Sequence, residues 1–252
     1  MKDIPIFILN KDRLNTLKMF IDSMHKRNYT NITIIDNKST YEPLLEWYKT
    51  SGINVYFNPM PITDNSSLHR LVHEYQIPQF RDVVMNNYYI LNDSDIVPID
   101  ECPDDFVDVM IKLCFGLKAH KIGLGLKIDD LPDIFYNKQK VLDIETSYLN
   151  NPSTGMLEGY PNPITLYRAA VDTTFAVYSP GTACGWGGPN IGAYHTGEKT
   201  GPCFRMSNPF MARHLPWYYD YNNLPEDEYY YIKNLQANTG PCWSFWAKDV
   251  IK

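Results

Sequence analysis

The chain has 252 residues and a formal charge of −6, with no block of lysine or arginine, which argues against a nucleic-acid or anionic-membrane surface. Its length lets one α/β domain bury a substantial core without staples. Cys102, Cys114, Cys184, Cys203 and Cys242 are odd in number and scattered, with no C-x-x-C pair, so free thiols are expected rather than a disulfide framework or a zinc site. The start, Met1 to Pro5, lacks the charged region and apolar run of a signal peptide, and no later run approaches the length of a membrane span. A soluble, cytoplasmic protein is expected.

Ile4 to Leu9 reads as a short strand, followed by a polar turn, Asn10-Lys11-Asp12-Arg13, in which Asp12 can cap the next helix. Leu14, Leu17, Phe20, Ile21 and Met24 recur at helical spacing. Ile32 to Ile35 is a second strand, running into Asp36-Asn37-Lys38-Ser39-Thr40. Pro43 then fits the first turn of a helix that carries Leu44, Leu45, Trp47 and Tyr48. A third strand is expected over Ile53 to Phe57, and Leu68, Leu71, Val72 and Tyr75 mark another short helix. Tyr88 to Leu91 has the character of a buried central strand and leads into Asn92-Asp93-Ser94-Asp95. Strands alternating with helices in this way imply right-handed βαβ units and a largely parallel sheet.

Residues i and i+2 of a strand point to one side, so Asp93 and Asp95 can face one point in space. Two close carboxylates repel unless a cation lies between them, and oxygen donors favour Mg²⁺ or Mn²⁺. Chemistry in open α/β sheets gathers beyond the carboxyl ends of such strands. Neither G-x-G-x-x-G after the first strand nor G-x-x-x-x-G-K-[ST] occurs, which disfavours a Rossmann dehydrogenase and a P-loop ATPase. Gly123 and Gly125 fall in an apolar run, Ile122 to Ile128, where close backbone packing in a strand is the expected role.

A first strand ending in Asn10-x-x-Arg13, a second ending in Asp36-Asn37-Lys38-Ser39 and a later one ending in Asp93-Ser94-Asp95 together resemble the GT-A-fold glycosyltransferases, in particular the family 2-like group. The resemblance implies an α/β, Rossmann-like GT-A fold with a mixed, mostly parallel sheet flanked by helices. It implies a nucleotide sugar as donor and a metal, Mn²⁺ or Mg²⁺, at an Asp-x-Asp motif. It places Asn10 and Arg13 at the nucleotide, Asp36 at the base, Asp93 at the ribose or metal, and Asp95 at the metal. The usual loop after the second strand reads Asp-Asp-Gly-Ser, whereas Asn37-Lys38 stands here, and Asp36 alone also reads as an ordinary turn residue.

In the second half, Phe106, Val109, Met110, Leu113 and Leu117 form an amphipathic helix with Asp104 and Asp105 at its start. Asp129 to Pro163 is polar and proline-rich, with a helix expected around Ile134 to Tyr148. Val171 to Tyr178 alternates as a strand and resembles an Asp-Thr-Thr-Phe-Ala strand of some of these transferases, which makes Asp172 the candidate general base. Asp220, Glu226, Asp227 and Glu228 compete for that role, the last three reading as the exposed start of a helix.

Ser179 to Gly201 reads as a long loop in which Trp186 either stacks on a sugar or anchors the loop. His214 is the candidate third metal ligand, since the resemblance places a C-terminal histidine in the metal site. Arg205 and Arg213 either neutralise a diphosphate or pair with surface acids. A helix is expected over Pro225 to Leu235.

The reading is one domain over 1–252, with a nucleotide-sugar-binding half (1–100) and an acceptor-binding half (101–252). It is a metal-dependent glycosyltransferase moving a sugar from a nucleotide diphosphate to a hydroxyl of a glycan or other acceptor, as in polysaccharide biosynthesis. The alternatives are a sugar nucleotidyltransferase, which needs a Gly-rich basic loop after the first strand, and an inactive glycan-binding module. No nucleic-acid partner or membrane span is expected, and a homo-oligomer stays open.

Overall fold

The computed structural model describes residues 2–58, 78–171, 175–181, 202–235 and residue 247. In chain order the elements are β1 (Ile6–Asn10), α1 (Asn15–Lys26), β2 (Ile32–Asp36), α2 (Glu42–Thr50), β3 (Asn54–Phe57), α3 (Pro78–Asn86), β4 (Tyr89–Asp93), β5 (Ile96–Pro98) and α4 (Phe106–Gly116). There follow β6 (Lys121–Gly123), β7 (Gly125–Leu126), α5 (Lys138–Ser147), β8 (Pro152–Gly155), β9 (Ile164–Arg168), β10 (Ala176–Tyr178), β11 (Cys203–Met206) and β12 (Met211–His214). A 3₁₀ turn (Leu215–Tyr218) and α6 (Glu226–Asn234) complete the set.

Among the described residues, nine strands form one sheet in the order β3-β2-β1-β4-β10-β6-β11-β9-β8. Following the pairings along that order, only β10 and β9 run against the other seven, so the sheet is mixed and mostly parallel, with helices packed on it. β1 is buried along its whole length, as a central strand must be when both faces are covered. Its alternation sorts the layers. Ile6 and Ile8 join the core that holds Leu17, Phe20 and Met24 of α1 and Phe106 and Met110 of α4. Phe7 and Leu9 join the opposite layer, with Val84 and the partly buried Phe80 of α3. Each such side chain contributes about 1.5–3 kcal/mol relative to being left in water.

The apolar run at Ile122 to Ile128 is not one strand. β6 lies in the large sheet, while β7 joins β5 and β12 in a three-stranded sheet of order β5-β12-β7. Leu124 is the step between them, its N–H donating to the carbonyl of Phe175. A Cβ on Gly125 would lie 2.4 Å from the Met206 carbonyl oxygen, so the close packing expected of this glycine is real.

The Asp-Ser-Asp stretch also differs from a continuous strand. β4 ends at Asp93, Ser94 and Asp95 form a turn, and β5 begins at Ile96. The Ser94 N–H donates to the Leu9 carbonyl, and the Leu215 N–H donates to the carbonyl of Asp95, so the turn is tied to both sheets. The expected helix around Ile134 to Tyr148 is α5, which starts four residues later and ends one residue earlier. The expected helix around Leu68 to Tyr75 lies outside the described residues, as do 172–174 of the Val171 strand, whose remaining part is β10.

Candidate functional site

Asn10, Asp36 and Asp93 are the last residues of three adjacent parallel strands. Asn10 pairs in register with Asp36, so these two side chains share one face of the sheet, whereas Asp93 pairs with Leu9 and takes the opposite face at the same end of the strands. β1 is flanked by β2 on one side and β4 on the other. The chain winds outward to β3 and then returns to β4 on the far side of β1, which makes this edge a topological switch point, the place where such sheets bind ligands.

At the β2 corner, Asp36 is held by neutral donors. Its Oδ1 accepts the Ser39 N–H at 2.9 Å, and its Oδ2 accepts the Ser39 hydroxyl and the Tyr48 hydroxyl, the latter at 2.9 Å. Asn10 Nδ2 donates to the Tyr48 oxygen at 2.8 Å, while Asn10 Oδ1 is buried with no hydrogen bond among the described residues. Burial pushes the Asp36 carboxyl above the usual range, against the pull of its Ser39 and Tyr48 hydrogen bonds. Phe57, at the end of β3, is 58% exposed and meets the Tyr48 ring edge-on.

Asp12, expected to cap the next helix, caps the one after it. With φ at 56°, a left-handed conformation that aspartate tolerates, its Oδ1 accepts the N–H groups of Thr40 and Tyr41 at the start of α2, and its own N–H donates to Ser39 Oγ. The cap of α1 arrives from far along the chain: Asp227 Oδ2 accepts the N–H groups of Leu14 and Asn15 at 2.8 and 2.7 Å.

At the β4 corner the partners are charged. Arg13 Nη1 lies 2.8 Å from Asp95 Oδ2, and its Nε and Nη2 donate to Glu228 Oε2 and Oε1 at 2.7 and 2.8 Å. Its guanidinium lies over the Tyr231 ring at 3.8 Å. Burial alone would raise the Asp95 carboxyl, but Arg13, and then His214, hold it below the usual range. Burial lifts the Glu228 carboxyl above it, with Arg13 opposing, while the two carboxylates outweigh burial to keep Arg13 protonated.

His214 Nε2 is 3.7 Å from Asp95 Oδ2, beyond hydrogen-bond distance, and Nδ1 is buried with no hydrogen bond among the described residues. Its ring stacks on Trp217 at 4.6 Å between centroids. Burial lowers its pKa despite Asp95, which favours the neutral imidazole, the form that binds metals.

The structure therefore brings Asn10, Arg13, Asp36, Asp93, Asp95 and His214 to one region. Asp172 lies outside the described residues, as does Trp186. Arg205 and Arg213 are committed elsewhere: Arg205 to Glu145 at 2.5 Å and Arg213 to Asp130 at 2.5 Å. Asp227 and Glu228, expected at an exposed helix start, are 2% and 1% exposed because they face α1 and Arg13. Nothing in the sequence links position 228 to position 13, and Tyr48 read only as a core residue of α2.

Two carboxylates and a neutral, incompletely partnered imidazole suit Mn²⁺ chemically. Among the described residues no three such groups lie close enough together to hold an ion, and the pair that does approach, Asp95 and His214, shares its oxygen with Arg13.

No protein-family model matches the chain, and no curated protein matches it. Among solved structures, a cytidylyltransferase from Leptospira borgpetersenii serovar Hardjo-bovis (strain JB197) is similar at 10% identity, over 57% of this chain and 71% of that chain, with a TM-score of 0.34. No site residue is transferable at that level. Among the described residues, no helix is long and apolar enough to cross a membrane.

Proposed function

We propose that the protein is a glycosyltransferase that takes its sugar from a nucleotide diphosphate bound at the edge formed by β1, β2 and β4. The observation that carries this reading is that β1, β2 and β4 end in Asn10, Asp36 and Asp93 at the switch point of the sheet. Asp36 has both oxygens engaged, so its part in holding the base is to fix Tyr48 and Ser39, while Asn10 Oδ1 is a spare acceptor. The exposed ring of Phe57 offers a stacking surface for a base.

Asp95 and Glu228 outnumber Arg13, so a diphosphate arriving here meets excess negative charge and needs a cation. Asp95 and His214 would hold Mn²⁺ or Mg²⁺ together with the diphosphate itself, and the ion when bound would supply positive charge to the leaving diphosphate. Arg13 keeps Asp95 ionised and fixes its orientation, and Trp217 fixes the His214 ring. Asp172 is the proposed base for the acceptor hydroxyl in an inverting reaction.

The test is a panel of UDP- and GDP-sugars with Mn²⁺, in which release of nucleoside diphosphate is measured with and without glycan acceptors. Turnover of one donor, lost in Asp95→Asn, supports the reading. Release of pyrophosphate from a nucleoside triphosphate and a sugar 1-phosphate, with no turnover of nucleotide sugars, would replace it with nucleotidyl transfer.

A further inference from the structure

A cavity of about 210 Å³ lies between β7, the end of α5, β9 and β11, in the half of the chain away from the nucleotide edge. Its wall includes Arg205, whose side chain is 3% exposed. Arg205 Nε donates to the Ala170 carbonyl at 2.6 Å and Nη1 to Glu145 Oε2 at 2.5 Å, and its guanidinium lies over the Tyr148 ring. These bonds take two of the five N–H groups of the guanidinium, and Arg205 lines the cavity with the rest. Among the described residues β7 is the edge strand of its sheet, and no described strand takes the main-chain groups on its outer side.

We infer that this cavity binds one neutral, hydroxyl-rich ring, a single sugar residue. The charges decide against an ionic ligand. Arg205 is already balanced by Glu145, and Lys127, which also lines the cavity, by Asp129 at 2.8 Å. An anion would gain Arg205 and meet Glu145, and a cation the reverse, whereas a hydroxyl accepts from the guanidinium and donates to a carboxylate.

Size sets the rest. Dry cavities of about 150 Å³ accept a benzene ring, so about 210 Å³ suits one six-membered ring with its substituents. Leu126, Leu149 and Met211 supply apolar wall for the C–H groups, and Tyr167 an aromatic one. Met211 also begins β12, whose last residue is His214, about 10 Å further along the strand at about 3.3 Å per residue. The cavity is therefore within reach of the Asp95 corner without being part of it.

Saturation-transfer NMR with methyl glucoside, methyl galactoside and methyl glucuronide tests the inference on the wild type and on Leu149→Trp. Leu149 is 41% exposed, so the larger side chain fills the cavity without disturbing the core. Arg205→Gln is a second variant, used if its melting curve shows it folded; Leu149→Trp decides alone otherwise. The expected result is binding of a neutral glycoside, weakened about tenfold or more by Leu149→Trp, with the glucuronide no tighter. Absence of binding by both neutral glycosides, binding indifferent to Leu149→Trp, or a glucuronide about tenfold tighter would overturn it. A UDP and GDP titration on the same samples reports separately on the nucleotide edge, so failure of one site does not imply failure of the other.

Discussion

Asp36 and Asp95 stand at two corners of one sheet edge, and their surroundings treat the same side chain in opposite ways. Asp36 is held by hydroxyls and an N–H, and burial wins, raising its pKa. Asp95 is buried as well, yet its pKa falls because a guanidinium touches it and a histidine lies near. A neutral cradle tolerates a carboxylate, whereas a charged one depends on it. The β2 corner is therefore built to hold shape, and the β4 corner to hold charge.

The comparison breaks most visibly at Arg13. Arg13→Met strands two buried carboxylates, and urea unfolding should show a loss of about 3–5 kcal/mol. Asp95→Asn leaves Arg13 its bidentate bond to Glu228, so the expected loss is smaller, about 2 kcal/mol. Asp227→Ala removes a cap from α1 that no nearby residue supplies, for about 1–2 kcal/mol. Asp36→Asn keeps one acceptor, for the Ser39 N–H, places a donor toward the Ser39 and Tyr48 hydroxyls and relieves a desolvated charge, so its effect should stay within about 1 kcal/mol.

Acid sharpens the contrast. The folded pKa of Asp95 is lowered, so its stabilisation is present above the usual carboxylate pKa, about 4, and is lost as the pH falls below it. For Asp36 the folded pKa is raised, so the folded state favours its protonated form, and the cost of ionising it appears as the pH rises. Lowering the pH from about 6 to about 3 should make the wild type lose ground to Asp95→Asn and gain ground on Asp36→Asn. Equal pH dependence in the two differences would remove the distinction between the corners.

Much of this fold was legible because its cues are local. The apolar periodicity of Leu17, Phe20, Ile21 and Met24 and the short runs at Ile6, Ile32 and Tyr89 specify helix and strand without reference to distant residues. The gathering of Asn10, Asp36 and Asp93 followed from strand ends alone. The Arg13–Glu228 pair, the Asp227 cap on α1 and the Arg205–Glu145 pair were not legible, since each joins residues at least 60 positions apart. The passage of the chain from β6 into a second sheet at Leu124 was hidden for a related reason, because an apolar run reads the same whichever sheet receives it.

Calorimetric titration of UDP and GDP, each with Mn²⁺, with Mg²⁺ and with EDTA, tests the central claim most directly when run on the wild type and on Asp95→Asn. The account predicts binding of one nucleotide in the presence of a divalent ion, weakened about tenfold or more in EDTA and in the folded variant. Absence of binding by either nucleotide under every condition, or binding indifferent to both the ion and Asp95, would contradict it.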